Sequence, residues 1–400
     1  MLAAMAIAVL KDIFLKAHQY RKGNEWALAA AVSVLLLLCV VQGPVYRLIS
    51  GKAAHNIKRS VVCVTGCDSG FGLYMARKMK SLGYIVCATC LTEAGAAVLD
   101  KEGIYTVVVD LCDEGSYAAV GDAVRASMAV PAHRGCKLWA IINNAGIAPI
   151  GFTDWVSLDV FRKAMEVNYF AVVGVTKELL PLLKQSQHSR IINLSSMAGK
   201  AATCSFGPYA GSKHAVEGWA KALRYEMGPF DIKVCNVNPG FMNTPLLDTS
   251  LQWAQRTLDA ADADVRRFYD CETILRGNAD SLLRIREPLH TVGDYIVDYL
   301  LGAKHPCFNH FVGLQATAGR WYIMLPQVLM ELFGSLFTPV VGVNAEAVRM
   351  EHSLGAYSSA RACKEASAPP ASAPPASISA SAPASAFPRI RSRSRPRARQ

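Results

Sequence analysis

The fold is decided by Ser60-Val-Val-Cys-Val-Thr-Gly-Cys-Asp-Ser-Gly-Phe-Gly72, a short apolar run that passes directly into three glycines. The β-branched residues from 60 to 65 are typical of a buried strand, and the stretch Leu73 to Leu82 has a helical pattern. Glycines at 66, 70 and 72 allow a tight turn whose backbone can approach a pyrophosphate at the helix N-terminus. Their spacing is GxxxGxG, which differs from the commoner GxGxxG, and taken alone it also fits an ordinary glycine-rich turn.

A second group of residues, Ser196, Tyr209 and Lys213, carries the chemistry. Tyr209 and Lys213 are four residues apart on a predicted helix and therefore share one face. A nearby ammonium favours the phenolate, so Lys213 should lower the pKa of Tyr209 from about 10, at about 1.4 kcal/mol per unit. Tyr209 is then suited to act as an acid or base near neutral pH. Ser196, thirteen residues before the tyrosine, can hold the oxygen of an alcohol or a carbonyl.

With both groups in one chain, the sequence from about 57 to 345 resembles the short-chain dehydrogenases/reductases. The resemblance rests on these motifs: Thr65-Gly-Cys-Asp-Ser-Gly-Phe-Gly72, Asp110 after the third strand, Asn143-Asn-Ala-Gly146, Asn168, Ser196, Tyr209, Lys213, and Pro239-Gly240 with Thr244. It implies that Ser196 orients the substrate oxygen and that Tyr209 is the general acid or base. It further implies that Lys213 binds the nicotinamide ribose and that Asn168 holds a water in a proton relay.

The resemblance also implies where a nicotinamide dinucleotide binds. The glycine turn would cradle the pyrophosphate, Asp110 would face the adenine, and the segment from Pro239 to Thr244 would line the nicotinamide end. The implied cofactor-binding residues are Thr65, Gly66, Ser69, Gly70, Phe71, Gly72, Asp110, Asn143, Ala145, Gly146, Tyr209, Lys213, Pro239, Gly240 and Thr244.

Three positions have a simpler alternative. Ser195 competes with Ser196, because successive strand residues point to opposite faces and only one of the two can face the site. The family's spacing of thirteen residues before Tyr209 selects Ser196. Asn168 also fits a helix residue with a satisfied side chain, and Asp110 also fits a cap at the end of a strand.

The choice between NAD and NADP depends on the residues after the second strand, where an acidic group suits a free ribose 2′-hydroxyl and an arginine suits a 2′-phosphate. That strand is predicted at 84–89 and continues as Cys90-Leu-Thr-Glu93, with no Arg or Lys between Lys80 and Lys101. The glycine turn also lacks a basic residue. The absence of a phosphate clamp favours NAD over NADP, although no aspartate in a suitable position supports the choice.

Apolar β-branched runs alternate with helical patterns, at 60–65, 84–89, 105–109, 138–142, 190–194 and 232–237. This alternation predicts an α/β fold, a Rossmann-type doubly wound parallel sheet in a single catalytic domain at 57–345. A last strand is left open. Residues of about 245–290 have few strand signals and fall where the family keeps its substrate lid.

The chain before the domain, residues 1–56, is predicted to anchor it in a membrane. Residues 26–46 carry no charge, and a helix of that length, at about 1.5 Å per residue, crosses the roughly 30 Å hydrocarbon core. A buried helix is the alternative, whereas a cleaved signal peptide is disfavoured by the long apolar core. Basic residues on both sides leave the orientation open. A second apolar stretch, Trp321 to Val343, is broken by Pro326 and Glu331 and fits either an interfacial segment or a buried helix.

The composition of residues 358–400 changes to Ala, Ser and Pro, followed by six alternating arginines. Such a tail cannot bury a core and is expected to be disordered. Most of the chain's formal net charge of +11 belongs to this tail and not to the catalytic unit. The charge is therefore no argument for specific nucleic-acid binding. An arginine–serine tail can contact RNA or anionic lipid, but a solvated tail is the favoured interpretation.

The chain has 12 cysteines without a paired framework, which indicates reduced thiols in a cytosol-facing or otherwise reducing location. Cys87-Ala-Thr-Cys90 matches CxxC, but on a strand these two side chains face opposite sides. No second CxxC completes a zinc site, so we expect buried thiols and no metal.

Particular stretches narrow the resemblance to retinol, hydroxysteroid and mitochondrial 3-hydroxybutyrate dehydrogenases. They are Val64–Gly72, Cys90–Gly95, Leu179–Leu183 and Ala303–Pro306. Leu223–Met227 together with Ile232–Val234 favours the last of these enzymes. The uninterrupted apolar span instead favours the membrane-bound retinoid and steroid enzymes.

The sequence thus predicts a membrane-anchored, NAD-dependent oxidoreductase that interconverts a retinoid or steroid alcohol and its carbonyl, at the endoplasmic reticulum or, alternatively, a mitochondrial membrane. A 3-hydroxybutyrate dehydrogenase is the alternative, and its anionic substrate would need a cation such as Arg266 or Arg267. A catalytically silent membrane scaffold is a third interpretation. The expected partners are a lipophilic alcohol or ketone, membrane lipid and a second copy of the chain in a homodimer, with no specific nucleic acid.

Overall fold

Seven parallel strands form one sheet with helices on both faces. The computed structural model describes residues 50–53, 55–270, 274 and 286–324. The strands are β1 (Ser60–Val64), β2 (Ile85–Cys90), β3 (Tyr105–Val108), β4 (Lys137–Asn143), β5 (Arg190–Leu194), β6 (Lys233–Pro239) and β7 (Asn309–Val312). Their order is β3-β2-β1-β4-β5-β6-β7, so the predicted doubly wound parallel sheet is confirmed. The strand that the sequence left open is β7.

The helices alternate with the strands, as predicted. They are α1 (Gly70–Ser81), α2 (Glu93–Lys101), α3 (Ser116–Ala129), α4 (Leu158–Met165), α5 (Ala171–Leu183), α6 (Gly207–Met227), α7 (Pro245–Asp259), α8 (Ala263–Arg266), α9 (His290–Asp294) and α10 (Leu314–Tyr322). A π-helical turn, Glu166–Phe170, joins α4 to α5, and another, Tyr295–Leu300, follows α9. The predicted helix at 73–82 begins three residues earlier, at Gly70, within the glycine turn itself.

The central strand β1 is covered by an apolar layer on each face. Val62 packs in one layer with Met75 of α1. Val61 packs in the other with Val124 of α3 and Leu179 of α5. All five residues of β1 are buried, as expected for a parallel strand with helices on both sides. Residues adjacent in sequence therefore hold opposite helical layers in place.

The sheet has a switch point between β1 and β4. From β1 the chain proceeds outward to β3, whereas β4 begins the other half and proceeds outward to β7. The chain therefore continues from β1 and from β4 into opposite halves of the sheet, and in open α/β sheets ligands bind at the carboxyl ends of the strands beside such a switch point. Most of the predicted site residues lie at or after the carboxyl ends of β1, β4, β5 and β6, whereas Asp110 follows β3.

The segment before β1 is attached at the opposite end of the sheet. The Ala53 N–H donates a hydrogen bond to the carbonyl of Gly302 (2.8 Å). Trp139, near the start of β4, donates its indole N–H to the carbonyl of the adjacent Leu301 (3.0 Å). The contact therefore lies at the amino ends of the strands.

Three predicted segments lie outside the described residues, namely the membrane span at 26–46, the tail at 358–400 and the second apolar stretch from residue 325 onward. The expected lid is described only as α7, α8 and short neighbouring segments, since residues 271–273 and 275–285 also lie outside. Within the described ranges, no helix is long and apolar enough to cross a bilayer.

The cysteines of the described ranges are all free thiols. Cys87 and Cys90 are both buried in β2, and they pack in opposite apolar layers. The interpretation of the CxxC sequence as a pair of buried strand thiols on opposite faces is therefore confirmed.

Candidate active site

The glycine turn after β1 packs closely against the loop that follows β4. Gly66 has a φ of +71°, and a Cβ on this residue would lie 2.8 Å from the Cα of Ala145. A Cβ on Gly72 would lie 2.2 Å from the carbonyl oxygen of Gly66, so a larger residue would clash at either position. This open backbone cradle at the N-terminus of α1 fits the pyrophosphate of a dinucleotide.

Thr65 and Asn144 hold the glycine turn in place. The Thr65 hydroxyl accepts hydrogen bonds from the N–H groups of Asn144 and Ala145, both at 3.0 Å. The Asn144 side-chain amide donates to the carbonyls of Thr65 (2.8 Å) and Gly66 (3.0 Å). Asn143 donates instead to the hydroxyl of Thr176 on α5 (3.0 Å) and to the side-chain oxygen of Asn193 in β5 (2.8 Å). The sequence motif contained both asparagines, but only the fold distinguishes the one that contacts the turn.

Asp68 of the glycine turn reaches the loop after β2. Its carboxylate accepts hydrogen bonds from the Leu91 N–H (2.8 Å) and from the N–H (2.9 Å) and hydroxyl (2.7 Å) of Thr92. In doubly wound folds this region meets the adenosine ribose. The structure therefore places a carboxylate where sequence analysis found none, because Asp68 precedes Leu91 by 23 residues in the chain.

A cavity of about 320 Å³ lies at the carboxyl ends of β5 and β6. Its walls include these predicted residues: Phe71, Gly146, Ser196, Tyr209, Lys213, Pro239, Gly240 and Thr244. Much of the remaining wall is apolar, with Phe206, Phe241 and Leu247 among its side chains. Sequence analysis did not identify these apolar residues, since their spacing in the chain gives no sign that they meet.

Tyr209 and Lys213 lie on one face of α6, as predicted. The Lys213 Nζ is 5.8 Å from the centre of the Tyr209 ring and donates a hydrogen bond to the carbonyl of Leu194 at the end of β5 (2.8 Å). Both residues are buried, with 8% of Tyr209 and 5% of Lys213 exposed. The ammonium is thus fixed near the phenol by the sheet itself.

The predicted direction of the Tyr209 pKa is wrong for this structure. Burial raises the pKa of Tyr209 above its ordinary value of 10, and a hydrogen bond with the Ser196 side chain opposes the rise. Burial also lowers the pKa of Lys213 to about 8, against the opposing effect of the Glu217 carboxylate. The sequence argument considered the ammonium alone, whereas removal from water disfavours the charged form of both groups.

Ser196 is the second residue after β5, which ends at Leu194. The Ser196 hydroxyl accepts a hydrogen bond from the Ala198 N–H (3.1 Å) and contacts Tyr209 through the hydrogen bond already described. The Ser195 hydroxyl is buried and has no hydrogen-bond partner among the described residues. Of the two rival serines, Ser196 is the one that meets the tyrosine.

Asn168 occupies the π-helical turn between α4 and α5, and π-helical turns are frequent at functional sites. Its side chain accepts from the Ile147 N–H (2.9 Å) and donates to the Ile147 carbonyl (2.9 Å) and to the Ser212 hydroxyl (2.8 Å). These contacts match the alternative of a satisfied side chain. A water-holding role for Asn168 stays a prediction.

Asp110 and Ser69 are exposed. The Asp110 carboxylate accepts from the Cys112 N–H (2.9 Å), and the Asp110 carbonyl accepts from the Ser116 hydroxyl (2.6 Å). These contacts match a strand-end cap, so the adenine-facing role of Asp110 stays a prediction. Ser69 lies at the N-cap of α1 and makes no capping hydrogen bond with its side chain.

Comparison with known proteins agrees with this geometry. Residues 60–255 match the family model described as short chain dehydrogenase. The chain is 32% identical over 292 residues to Retinol dehydrogenase 5 of Mus musculus, covering 70% of this chain and 89% of the relative. It is 32% identical over 277 residues to 17-beta-hydroxysteroid dehydrogenase type 6 of Bos taurus, covering 66% and 84%. Identity to the mitochondrial D-beta-hydroxybutyrate dehydrogenase of Bos taurus is 35% over 213 residues, covering 52% and 61%.

Solved structures share the fold. A short chain dehydrogenase from Burkholderia cenocepacia in complex with NADP matches with a TM-score of 0.55 at 20% identity, over 71% of this chain and 100% of that structure. A short chain dehydrogenase/reductase from Burkholderia phymatum in complex with NAD matches with a TM-score of 0.55 at 22% identity, over 70% and 96%. Together with the relatives of 32% identity, these matches show that the chain belongs to the short-chain dehydrogenase family of oxidoreductases.

Proposed function

We propose that the chain is an NAD(H)-dependent oxidoreductase that interconverts a lipophilic alcohol and its carbonyl, with a retinoid or steroid as substrate. One observation carries the proposal: Ser196, Tyr209 and Lys213 lie on the wall of one largely apolar cavity, next to a glycine turn that a dinucleotide fits. The names of the relatives, which include retinol and steroid dehydrogenases, support the same class of substrate.

Residues around the crevice would hold the dinucleotide. The turn containing Gly66, Gly70 and Gly72 would bind the pyrophosphate through its backbone at the N-terminus of α1. Thr244 and the segment Pro239–Gly240, which line the cavity, would contact the nicotinamide end. Bound there, the nicotinamide would accept a hydride from the alcohol carbon or return one to the carbonyl.

The chain's own residues would orient the substrate and move its proton. Ser196 would hold the substrate oxygen by a hydrogen bond. Tyr209 would take the hydroxyl proton during oxidation and donate it during reduction. Lys213, with a pKa of about 8, is largely protonated at neutral pH, so its charge near the phenol stabilises the phenolate when it forms.

Asp68 supports NAD as the preferred cofactor. Its carboxylate lies in the loop region after β2, and the 2′-phosphate of NADP would bring a second negative charge to that region. NADP is therefore expected to bind more weakly than NAD.

The alternative substrate, 3-hydroxybutyrate, is anionic and needs a cation close to the reacting carbon. Arg266 and Arg267 are exposed on and next to α8 and do not line the cavity, and Lys213 is the one charged side chain in the described wall. The similarity to a D-beta-hydroxybutyrate dehydrogenase is the observation that keeps this alternative under test.

One experiment tests both the reaction and the substrate. The full chain, solubilised in detergent, is assayed with retinol, a steroid alcohol and 3-hydroxybutyrate, each with NAD and with NADP. We expect turnover on a lipophilic alcohol with NAD, and its loss in Tyr209→Phe with NAD binding retained. Tyr225→Phe is the matched control, because Tyr225 lies on the same helix and is 69% exposed. A preference for 3-hydroxybutyrate, or full turnover by Tyr209→Phe, would contradict the proposal.

The membrane anchor at 26–46, its location at the endoplasmic reticulum and a homodimer are part of the same proposal. The uncharged run supports the anchor. Alkaline extraction of membranes from cells that express the full chain tests the anchor. We expect the full chain to stay with the lipid and a chain without residues 26–46 to be released.

A further inference from the structure

Four asparagines form a row across neighbouring strands. Asn143 of β4 is in register with Asn193 of β5, which pairs with Asn236 of β6, which in turn pairs with Asn309 of β7. The Asn143 amide donates to the Asn193 side-chain oxygen (2.8 Å), and the Asn193 amide donates to that of Asn236 (3.0 Å). Asn143, Asn193 and Asn236 are buried, so the row is a continuous polar line through the sheet.

The row ends at the carboxylate of Glu217 on α6. The Asn236 amide donates to Glu217 Oε2 (2.8 Å). Asn309 contributes when its amide nitrogen faces Glu217 Oε2 (3.1 Å) and its oxygen faces the Lys200 Nζ (3.2 Å). Lys200 also forms an ion pair with Glu217 (2.6 Å). Glu217 is 6% exposed, so the row leads to a buried carboxylate that accepts from Asn236 and, in this orientation, from Asn309.

Three of the amides are aligned. Asn143 donates to Asn193, Asn193 to Asn236 and Asn236 to Glu217, and in a low-dielectric interior such chains polarise one another. The polarisation places the positive end of the row against Glu217. A negative charge is therefore stabilised at this position, although the burial of an isolated carboxylate is costly.

Glu217 is linked to the candidate site by three routes. It lies one helical turn after Lys213 on α6, so the two side chains share a face and attract each other. The Asn238 amide donates both to Glu217 Oε1 and to the Ser196 carbonyl (3.1 Å). Lys200, its ion-pair partner, lies four residues after Ser196 on the same loop.

We propose that Glu217 is a positioning residue, which holds the Ser196 loop against α6 and sustains the positive charge of Lys213, and that the asparagine row is its support. The proposal rests on the proposed function, since it assigns to Glu217 a part in the same reaction. Glu217 would touch neither the substrate nor the cofactor. It would act through Lys213 and through the loop.

The groups that face Lys213 come from several elements. Tyr209 and Glu217 lie on its own helix, and Lys200 follows β5. In the loop after β4, a Cβ on Gly146 would lie 3.6 Å from the Lys213 Nζ and 3.1 Å from the neutral side chain of Asn168 in the π-helical turn. Of the charged side chains among these, Glu217 attracts the ammonium and Lys200 neutralises Glu217. The two therefore act on Lys213 in opposite directions.

Two variants that each remove one of these charges therefore test the proposal. Glu217→Gln removes the negative charge, so Lys213 should lose its proton at a lower pH. Lys200→Met removes the neutralising cation, so Lys213 should keep its proton to a higher pH. With less charge on Lys213 the phenolate is disfavoured, so the rise of kcat/KM with pH in alcohol oxidation should occur at a different pH in each variant. We expect it about 0.5–1 pH unit higher in Glu217→Gln and at a lower pH in Lys200→Met. A purely structural role would instead lower activity in both variants without opposite pH shifts.

A second readout does not need turnover. Tm is measured against pH from 6 to 10.5 for the wild type, Glu217→Gln and Lys200→Met, and again with Lys213→Met added to each. Loss of the proton from buried Lys213 should raise Tm at alkaline pH. This rise should begin at a lower pH in Glu217→Gln and at a higher pH in Lys200→Met, and neither difference should remain when Lys213→Met is added. Asp294→Asn is the matched control, because Asp294 also pairs with a lysine, Lys78 (2.6 Å), and accepts from Tyr74, but lies on α9.

The outcomes separate the two proposals. Inactivity of the wild type on every alcohol would end the proposed function, and the Tm profiles would still decide the part of Glu217. Onsets that coincide in all variants, or that shift equally in Asp294→Asn, would overturn the role of Glu217 even in an active enzyme. If Glu217→Gln does not fold, Lys200→Met alone still tests the predicted direction.

Discussion

A buried cation lies at each end of strand β5, and the two differ in the groups that surround them. Arg190 begins the strand, and Leu194, whose carbonyl accepts from Lys213, ends it. Arg190 is 1% exposed and Lys213 is 5% exposed. Burial lowers the pKa of Arg190 to about 10 and that of Lys213 to about 8. The same physical cost is therefore present at both ends of one strand.

The surroundings of the two cations explain the difference. Arg190 donates to the carbonyls of Leu300 (2.6 Å), Ala303 (3.1 Å) and His188 (2.8 Å), and its guanidinium lies 4.3 Å from the Trp139 ring centre. The guanidinium of Arg190 thus serves to hold neighbouring segments of the backbone together. Lys213 makes one backbone hydrogen bond and otherwise faces a cavity, a phenol and a carboxylate. A buried cation indicates function when its remaining contacts are themselves reactive or titratable groups.

The largest effect is expected from Lys213→Met, which removes the buried charge next to the cavity. We expect kcat for alcohol oxidation to fall by about 10²- to 10⁴-fold, because the phenolate loses its stabilising charge. Folding should be unaffected or strengthened, since a buried charge is replaced by an apolar side chain of similar length. Steady-state kinetics and urea unfolding check the two parts, and a large loss of stability with kcat intact would reverse the assignment.

Arg190→Met should give the opposite pattern. Three carbonyls lose their donor in a dry part of the fold, so the free energy of unfolding should fall by about 3–5 kcal/mol. The kcat of the folded fraction should remain near the wild-type value. Arg125→Met is the control, because Arg125 is 46% exposed and pairs with Asp122 and Glu178 at the surface, where the expected loss is below about 1 kcal/mol. Equal losses of unfolding free energy in Arg190→Met and Arg125→Met would show that the buried contacts of Arg190 do not stabilise the fold.

The buried ammonium of Lys213 should also make the stability of the fold depend on pH. The pKa of Lys213 is about 8 when folded and has an ordinary value of 10.5. Between these values the unfolded chain binds more protons than the folded chain, so the free energy of unfolding should rise with pH there, by up to about 3 kcal/mol. Below pH 8 both states are protonated and the contribution is constant. The difference between the wild type and Lys213→Met, followed by urea unfolding from pH 7 to 10.5, measures this rise, and a flat difference would refute it.

The smallest effect is expected away from both cations, at Asp68. Asp68→Asn keeps the shape of the side chain but removes the charge that would repel a 2′-phosphate. We expect the ratio of kcat/KM for NAD to that for NADP to fall by about tenfold or less, which corresponds to about 1 kcal/mol. Glu93→Gln, an exposed carboxylate in the first turn of α2, is the control and should change the ratio less. An unchanged ratio in Asp68→Asn would leave the basis of cofactor preference elsewhere.

Local patterns in the sequence were sufficient for the sheet and for the pairing of Tyr209 with Lys213. Strands such as β1 have a run of buried apolar residues, and a spacing of four residues on a helix determines which side chains share a face. The strand β7 was left open because two of its four residues, Asn309 and His310, are polar. The polarity of Asn309 is explained by its contact with Glu217, which comes from a distant part of the chain.

The electrostatics of the site could not be predicted from spacing. The pKa of Tyr209 depends on burial, which is produced by elements before and after α6 in the chain. Asp68 was overlooked because its partners are 23 and 24 residues away, in the loop after β2. Asn143 and Asn144 are neighbours with different partners, because Asn143 is the last residue of β4 and Asn144 begins the loop that meets the glycine turn.

The attachment of Ala53 to Gly302 has a practical consequence for handling the enzyme. The described chain enters at the amino end of the sheet, whereas α10, near the end of the described chain, starts beside the cavity, with Gln315 in its wall. A bead or sensor chip coupled at residue 50 would therefore be attached at the end of the sheet opposite the cavity, and the residues that line the cavity would stay clear of the attachment point.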